Sequence, residues 1–268
     1  MAFDPKNIII EYKLDGLTSG KFDSYIAHIF CYEGECAFVF NEMEFNLSQG
    51  NTVIITQPRL TANLRPSEDF KVKVIYVTGP FLEASSPRNN YAIKGSLALY
   101  LNPVMKLTTE EQQRLKADFE LVEGRLKHEN HLFQEEMMMC TLQALFLDYF
   151  DFHARVYGND PISFQNADIM QRFFNLLESG VYKEHREISY YASELCITSK
   201  YLSELCKKIT GFSANFWINR FTIREINSIL KDRRMSIPNI VELFNFSSQA
   251  YFTRYVQNFL GQIPSNYR

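Results

Sequence analysis

Residues 188–211 read ISYYASELCITSKYLSELCKKITG, and the spacing inside this stretch decides how the C-terminal part of the chain is built. Tyr191, Ala192 and Leu195 share one face of a short helix. The pattern breaks at Cys196-Ile197, and Thr198 is of the residue type that caps a new helix by accepting a backbone N–H. Leu202, Leu205, Cys206 and Ile209 then face inward at helical spacing. Small Ala192 permits a close crossing of the two helices and Ile197 plugs the corner between them, as a helix-turn-helix requires. Lys200, Ser203, Glu204, Lys207 and Lys208 lie on the outward face, able to reach bases and phosphates from a rigid helix.

The pattern returns downstream with different residues. Ser236 caps a short helix whose Pro238 sits in the first turn, where a missing N–H is no loss. Ile240, Val241 and Phe244 face inward, and Asn245-Phe246-Ser247 makes the turn, with Asn245 expected in the left-handed conformation. Ser248 begins a helix with Phe252, Tyr255, Val256 and Phe259 inward and Gln249, Thr253, Arg254 and Gln257 outward. Leu202 and Phe252 hold equivalent places 50 residues apart. Between the units one helix over about residues 214–231 carries the stripe Ile218, Phe221, Ile226, Ile229 and Leu230. A stiff connector of this kind fixes the two outward helices so that they can enter successive major-groove segments, about 34 Å apart. Gln249 suits adenine and Arg254 guanine or phosphate, whereas Glu204 either accepts from a cytosine amino group or pairs with Lys200 or Lys208. Lys208 is a phosphate contact or a solvated charge.

Upstream, residues 8–78 read as β structure. The runs Tyr25–Tyr32, Glu35–Phe40, Thr52–Thr56 and Val72–Thr78 are separated by turn signals at Glu33-Gly34, Asn41-Glu42, Gln49-Gly50-Asn51 and Arg65-Pro66-Ser67, which argues for a sandwich or barrel. Gly34, Gly50 and Asn41 are suited to positive φ. From Thr108 the period changes: Thr108 or Thr109 caps a helix with Glu110 and Glu111 in its first turn and Leu115, Phe119, Val122 and Leu126 as its stripe. A second helix over Leu132 to about Phe152 runs through Met137, Cys140, Thr141, Ala144, Leu145, Asp148 and Tyr149. This pair is too apolar to stand exposed, so it packs on the sheet or on a second copy of itself. Met137-Met138-Met139 reads as packing filler. Tyr157-Gly158-Asn159-Asp160-Pro161 breaks the helix and marks a linker.

The chain has 268 residues, 46% hydrophobic and 22% charged, with 38 Tyr and Phe together, enough aromatic mass for two cores. Its net charge of −3 conceals an asymmetry: residues 1–160 hold 15 Lys/Arg against 22 Asp/Glu, and residues 161–268 hold 13 against 9. A polyanion partner is therefore expected on the C-terminal part. The five scattered cysteines, Cys31, Cys36, Cys140, Cys196 and Cys206, lack zinc spacing and read as reduced, buried thiols. The opening MAFDPKNIII lacks a basic region followed by a long apolar run, and no window approaches a membrane span, so a cytoplasmic protein is expected.

The segments YASELCITSKYLSELCKKITGFSANFWINRF (residues 191–221) and SIPNIVELFNFSSQAYFTRYVQNFLGQIPSNYR (residues 236–268) closely resemble AraC-like (AraC/XylS-type) transcription regulators. Leu195, Ile197, Thr198, Tyr201-Leu202-Ser203, Thr210-Gly211, Arg220, Phe246-Ser247, Tyr251-Phe252, Arg254, Gly261, Pro264 and Tyr267-Arg268 fall in register, over roughly residues 165–268. Three departures stand out. Asn245 replaces a turn glycine, Ile226 and Val241 stand where alanine is common, and Val256-Gln257-Asn258 replaces Phe-Lys-Lys. The last change removes two positive charges from the second unit and puts its phosphate contacts in doubt.

The resemblance implies an α+β chain: a cupin-like β-barrel with a helical dimerisation pair, then an all-α domain with two helix-turn-helix units. The expected boundaries are 1–155 for the sensor and dimerisation domain (barrel about 8–105, helices about 108–155), 156–165 for a linker and 166–268 for the DNA-binding domain. It implies a sequence-specific regulator that binds double-stranded DNA as a homodimer, with a small-molecule effector and RNA polymerase as further partners. Contacts to DNA are assigned to Thr198, Lys200, Ser203, Glu204, Lys207, Lys208, Ser248, Gln249, Thr253 and Arg254. An effector would fill the barrel between strands carrying Tyr25, Tyr32, Phe38 and Phe40. Metal-binding cupins need clustered His with Glu, and only His28 lies in the β region, so no metal and no cofactor are expected. With no paired carboxylates, nucleophile motif or phosphate loop, an enzyme is not expected either. The competing reading is a cupin-like ligand-binding protein that acts through protein contacts and shows no salt-sensitive DNA binding.

Overall fold

Side-chain alternation along one strand sets the layering of the N-terminal part. In β2 (Tyr25–Glu33), Ala27, Ile29 and Cys31 enter one core, while Ile26, Phe30 and Tyr32 enter another; successive Cβ atoms of a strand point to opposite faces. In the computed structural model, which describes residues 3–41, 43–87, 99, 102–128, 131–158, 163–232 and 234–267, two compact units appear, Met1–Pro161 and Ile162–Arg268. Glu42 of the expected turn, Asn159, Asp160 and Pro161 of the expected linker, residues 88–98 of the expected barrel, and Arg268 lie outside the described residues.

The first unit holds two antiparallel sheets. β1 (Ile8–Glu11), β7 (Lys71–Thr78), β2, β5 (Thr52–Ile55) and β8 (Val104–Met105) form one, in the order β1-β7-β2-β5-β8. The other has the order β4-β3-β6, from β3 (Glu35–Phe40), β4 (Met43–Ser48) and β6 (Thr61–Pro66). Phe38, Phe40 and Leu47 from the small sheet meet Ile29, Val53, Val74 and Tyr76 from the large one, all at most 3% exposed. Each such side chain contributes about 2 kcal/mol by leaving water. The result is a β domain of two sheets, with hydrogen bonding kept within each sheet among the described residues and the two joined by packing. Gly34, Gly50 and Asn41 take φ of 69°, 78° and 50°, as their turns demand.

The helical pair, α2 (Thr109–Leu126) and α3 (Gln134–Tyr157), covers the other face of the large sheet; α1 (Gly79–Ser85) precedes it. Thr108 caps α2, and Glu111 closes a capping box by returning a carboxylate to the Thr108 N–H at 2.7 Å. Arg155 of α3 donates to both Glu111 oxygens at 2.6 and 2.8 Å, so the same carboxylate joins the helices. Leu115, Phe119 and Val122 pack with Met138, Leu142, Leu145, Tyr149 and Phe152 on Phe30, Ile75 and Val77. The stripe of α3 is thus shifted from the expected one: Cys140 and Ala144 are exposed. Met138 is the one fully buried member of the methionine run.

The second unit begins with α4 (Phe164–Glu178), capped by Ser163. Two helix pairs follow, α5 (Ile188–Glu194) with α6 (Ser199–Thr210), and α8 (Ile237–Leu243) with α9 (Gln249–Leu260), joined by α7 (Ala214–Lys231). Trp217, Ile218, Phe221, Ile226 and Leu230 of α7 are buried among them, and Ile226 fills completely a position where a smaller residue had been the comparison. Ile229, Val241 and Ile209 are only half-buried. Phe259, expected inward, is 47% exposed: it lies near the end of α9 and covers Tyr255 on one side only, with ring centroids 4.8 Å apart.

Candidate nucleic-acid interface

Both helix pairs use the same turn. After α5 the Ile197 N–H returns to Ala192 O at 2.9 Å and the Cys196 N–H to Ser193 O at 3.0 Å. After α8 the Phe246 N–H returns to Val241 O at 3.0 Å and the Asn245 N–H to Glu242 O at 2.9 Å. This paired bonding satisfies carbonyls left open at a helix end and puts one residue in the left-handed region. Cys196 takes φ 56° and Asn245 φ 48°. Asn tolerates that conformation through its short polar side chain; Cys has no such compensation. Thr198 and Ser248 then cap α6 and α9, accepting the Tyr201 and Tyr251 N–H groups at 3.2 Å each.

The far ends repeat as well. Gly211 and Gly261 end α6 and α9 at φ 82° and 81°, and with no Cβ they take this conformation without strain. The Trp217 indole donates to Thr210 Oγ1 at 2.8 Å, and the Tyr267 hydroxyl donates to Leu260 O at 2.5 Å. These pairs stand 50 residues apart, like Leu202 and Phe252, both fully buried.

On α6, Lys200, Ser203, Glu204 and Lys207 fall at i, i+3, i+4 and i+7 and share one face. Lys200, Glu204, Lys207 and Lys208 are exposed and Ser203 is half-buried. Lys200 Nζ lies 3.9 Å from Glu204 Oε1, with both side chains open to solvent, so the pair is weak and easily exchanged for another partner. On α9, Gln249, Arg254 and Gln257 are exposed and Thr253 is half-buried. Thr198 and Ser248 are exposed at the helix N-termini, their oxygens accepting a backbone N–H while each O–H stays available to donate. The geometry brings each expected set onto one helix face.

Residues 191–268 match the family model described as a helix-turn-helix domain. Across 97% of its length the chain is 24% identical to the virulence regulon transcriptional activator VirF of Yersinia enterocolitica, covering 91% of that protein. The helix-turn-helix region is of the AraC type, and the chain is similar over nearly its whole length to transcription regulators that carry it. The thermoregulatory protein LcrF of Yersinia pestis is 23% identical over the same shares of the two chains, 97% and 91%. Among solved structures, ToxT from Vibrio cholerae with a bound unsaturated fatty acid is similar at 16% identity and a TM-score of 0.43, over 97% of this chain and 93% of that one.

The C-terminal unit depends on residues that periodicity does not single out. Arg186, between α4 and α5, donates to Lys183 O at 2.9 Å, to Asn245 O at 3.0 Å and to Phe244 O, and its guanidinium sits 4.1 Å from the Phe246 ring centroid. Half-burial draws its pKa below the ordinary arginine value. Tyr182 donates to Glu225 of α7, and Lys183 pairs with the same carboxylate at 2.7 Å. Tyr255 of α9 donates to Asn219 of α7 at 2.8 Å. A signal was present for Trp217 and Tyr267, which repeat at the spacing of Leu202 and Phe252. No local pattern marks Arg186, whose partners in the second helix-turn-helix are about 60 residues away.

Of the four residues assigned to an effector, three share the inter-sheet core and Tyr32 does not. Phe38 and Phe40 are buried in the inter-sheet core, and Tyr25 packs against it while its hydroxyl donates to Lys6 O at 3.0 Å. Tyr32 is seven residues beyond Tyr25 on β2, so parity turns it to the helical pair instead. Between the sheets a wholly apolar cavity of about 10 Å³ is lined by Leu17, Ile29, Phe38, Leu47, Val53 and neighbours. That space suffices for about one water molecule. His28 is buried against Phe146 and Tyr149, and burial lowers its pKa to about 4, which keeps it neutral. No cluster of three metal-ligating side chains occurs among the described residues, and no helix among them is long and apolar enough to cross a membrane. Of the five thiols, Cys31, Cys36 and Cys206 are buried as expected, whereas Cys140 and Cys196 are exposed; all five are free.

Proposed function

We propose that both recognition helices, α6 and α9, read DNA together, entering successive major-groove segments on one face of the duplex. The observation that carries this reading is the repeated frame: two identical turns, two hydroxyl caps and two left-handed glycine ends, each presenting a polar, outward helix face. Lys200, Ser203, Glu204 and Lys207 are assigned to groove contacts of the first unit, with Lys208 on phosphate. Gln249, Thr253 and Arg254 are their counterparts in the second. Thr198 and Ser248 donate their hydroxyl protons to phosphate oxygens beside the helix N-termini.

The N-terminal domain, in the same proposal, dimerises through α2 and α3 and transmits the state of an effector site between the sheets. Leu121 and Leu147, 42% and 49% exposed on that pair, support an apolar contact with a second copy. The small cavity means that any effector larger than water must displace Phe38 or its neighbours, so binding and a change of shape are coupled. Transcription activation follows the similar Yersinia enterocolitica protein, a transcriptional activator, and contact with RNA polymerase is the route assigned to it in this proposal.

Selection of binding sites from a random duplex pool, followed by substitution of each base pair, tests the reading. Preference in two segments about 10 base pairs apart, with Gln249→Ala relaxing only one of them, is the expected result. A selected site with a single segment, or none, would overturn it. Sedimentation of the wild-type chain and of Leu147→Glu tests the dimer: the wild type sediments as a dimer and the variant as a monomer.

A further inference from the structure

The segment 181–187 touches three parts of the DNA-binding unit at once. It leads directly into α5 of the first helix-turn-helix. Through Tyr182 and Lys183 it holds Glu225 on the connector α7. Through Arg186 it holds the turn of the second helix-turn-helix, where one guanidinium donates to the carbonyls of Phe244 and Asn245 and lies over the Phe246 ring. Phe244 and Asn245 close α8 and lead through Phe246 to the Ser248 cap of α9, so these bonds sit at the pivot that sets where α9 begins. The fork of an arginine can serve separate acceptors while its face stacks on an aromatic ring; a lysine ammonium cannot do both. Carbonyls at a turn are otherwise left to water, which sets no direction.

We infer that Arg186 is a positioning residue for DNA reading: it fixes the offset between the two recognition helices and thereby the spacing of the two DNA segments the protein accepts. It touches neither base nor phosphate in this role. The inference rests on the proposal that both units engage DNA. Two binding modules on a rigid frame gain affinity from each other only when the spacing on the ligand matches, and loosening the frame lowers that gain while widening the tolerated spacings.

The test uses the full chain with Arg186→Ala and Arg186→Lys, and duplexes selected from a random pool by the wild-type protein. Each duplex is also made with one, two or five base pairs inserted between the two segments, and with the second segment scrambled. The wild type should lose affinity steeply on insertion. Both variants should bind the intact site about tenfold more weakly, bind the scrambled duplex as the wild type does, and show a flattened dependence on spacing. Trp217 emission and helical circular dichroism establish that the variants are folded; should Arg186→Ala fail to fold, Arg186→Lys carries the test. An unchanged spacing profile, or equal losses on intact and scrambled duplexes, would overturn the role of Arg186. Full rescue by lysine would do so too, since charge and not geometry would then be at work. A wild-type footprint confined to one segment refutes two-unit engagement itself, which separates the two failures.

Discussion

The two helix-turn-helix units share a frame and differ in their surfaces. Cys196 and Asn245, Thr198 and Ser248, Leu202 and Phe252, Gly211 and Gly261, and Trp217 and Tyr267 do the same physical work in each. Outward, α6 carries three lysines and a glutamate, whereas α9 carries two glutamines, a threonine and one arginine. The frame must satisfy backbone groups and fill a core, and few residue types can do that. The outward face is free of those demands, so under the proposed reading its chemistry follows the DNA that each helix meets. The first unit is built for charge and the second for hydrogen-bond pattern.

The sharpest way to break the equivalence is through the central plugs. Leu202→Ala should cost about 3 kcal/mol and Phe252→Ala about 4 kcal/mol. Trp217 is the single tryptophan, 1% exposed in the DNA-binding unit, so its emission in a denaturant titration reports this loss. A cost below about 1 kcal/mol at either site would show that the two cores are not equivalent. Next in size are the caps: Thr198→Ala and Ser248→Ala should each cost about 1 kcal/mol, with equal values if both turns are held alike. The turn residues separate the units. Cys196→Gly should stabilise by up to about 1 kcal/mol by removing Cβ from a left-handed position, and Asn245→Gly by less, because Asn already tolerates it. Smallest is the Lys200–Glu204 pair, where Glu204→Ala should change stability by under about 0.5 kcal/mol.

What the sequence revealed and what it hid follow from where each interaction reaches. The turn positions and caps of both units are local, set by residues within a few positions, and they were legible, the left-handed Asn245 included; the left-handed Cys196 was not, since cysteine carries no signal for that conformation. Strands β2, β3, β5 and β7 were legible because they bury apolar residues. The run MEFNLS of β4 and the run TANLRP of β6 were not, since both are outer strands of the small sheet and expose much of their length. Cys140 and Ala144 were misplaced because the period of α3 admits neighbouring stripes, and contact with the sheet selects the one through Met138, Leu142 and Leu145. Tyr25 and Tyr32 were grouped as aromatic strand residues, but an odd separation sends them to opposite faces. Arg186 was invisible because its meaning lies in a turn formed far along the chain.

The central claim, that the outward faces of α6 and α9 read DNA, is tested most directly by fluorescence anisotropy on selected and random duplexes across a salt series. Tight binding to few sites, with a steep negative salt slope that falls by about 1 in Lys200→Ala and again in Lys207→Ala, is the predicted result. Gln249→Ala should leave the slope unchanged and relax base preference. Weak binding to every duplex, with no response to these substitutions, would contradict the account and assign both helix faces to a protein partner.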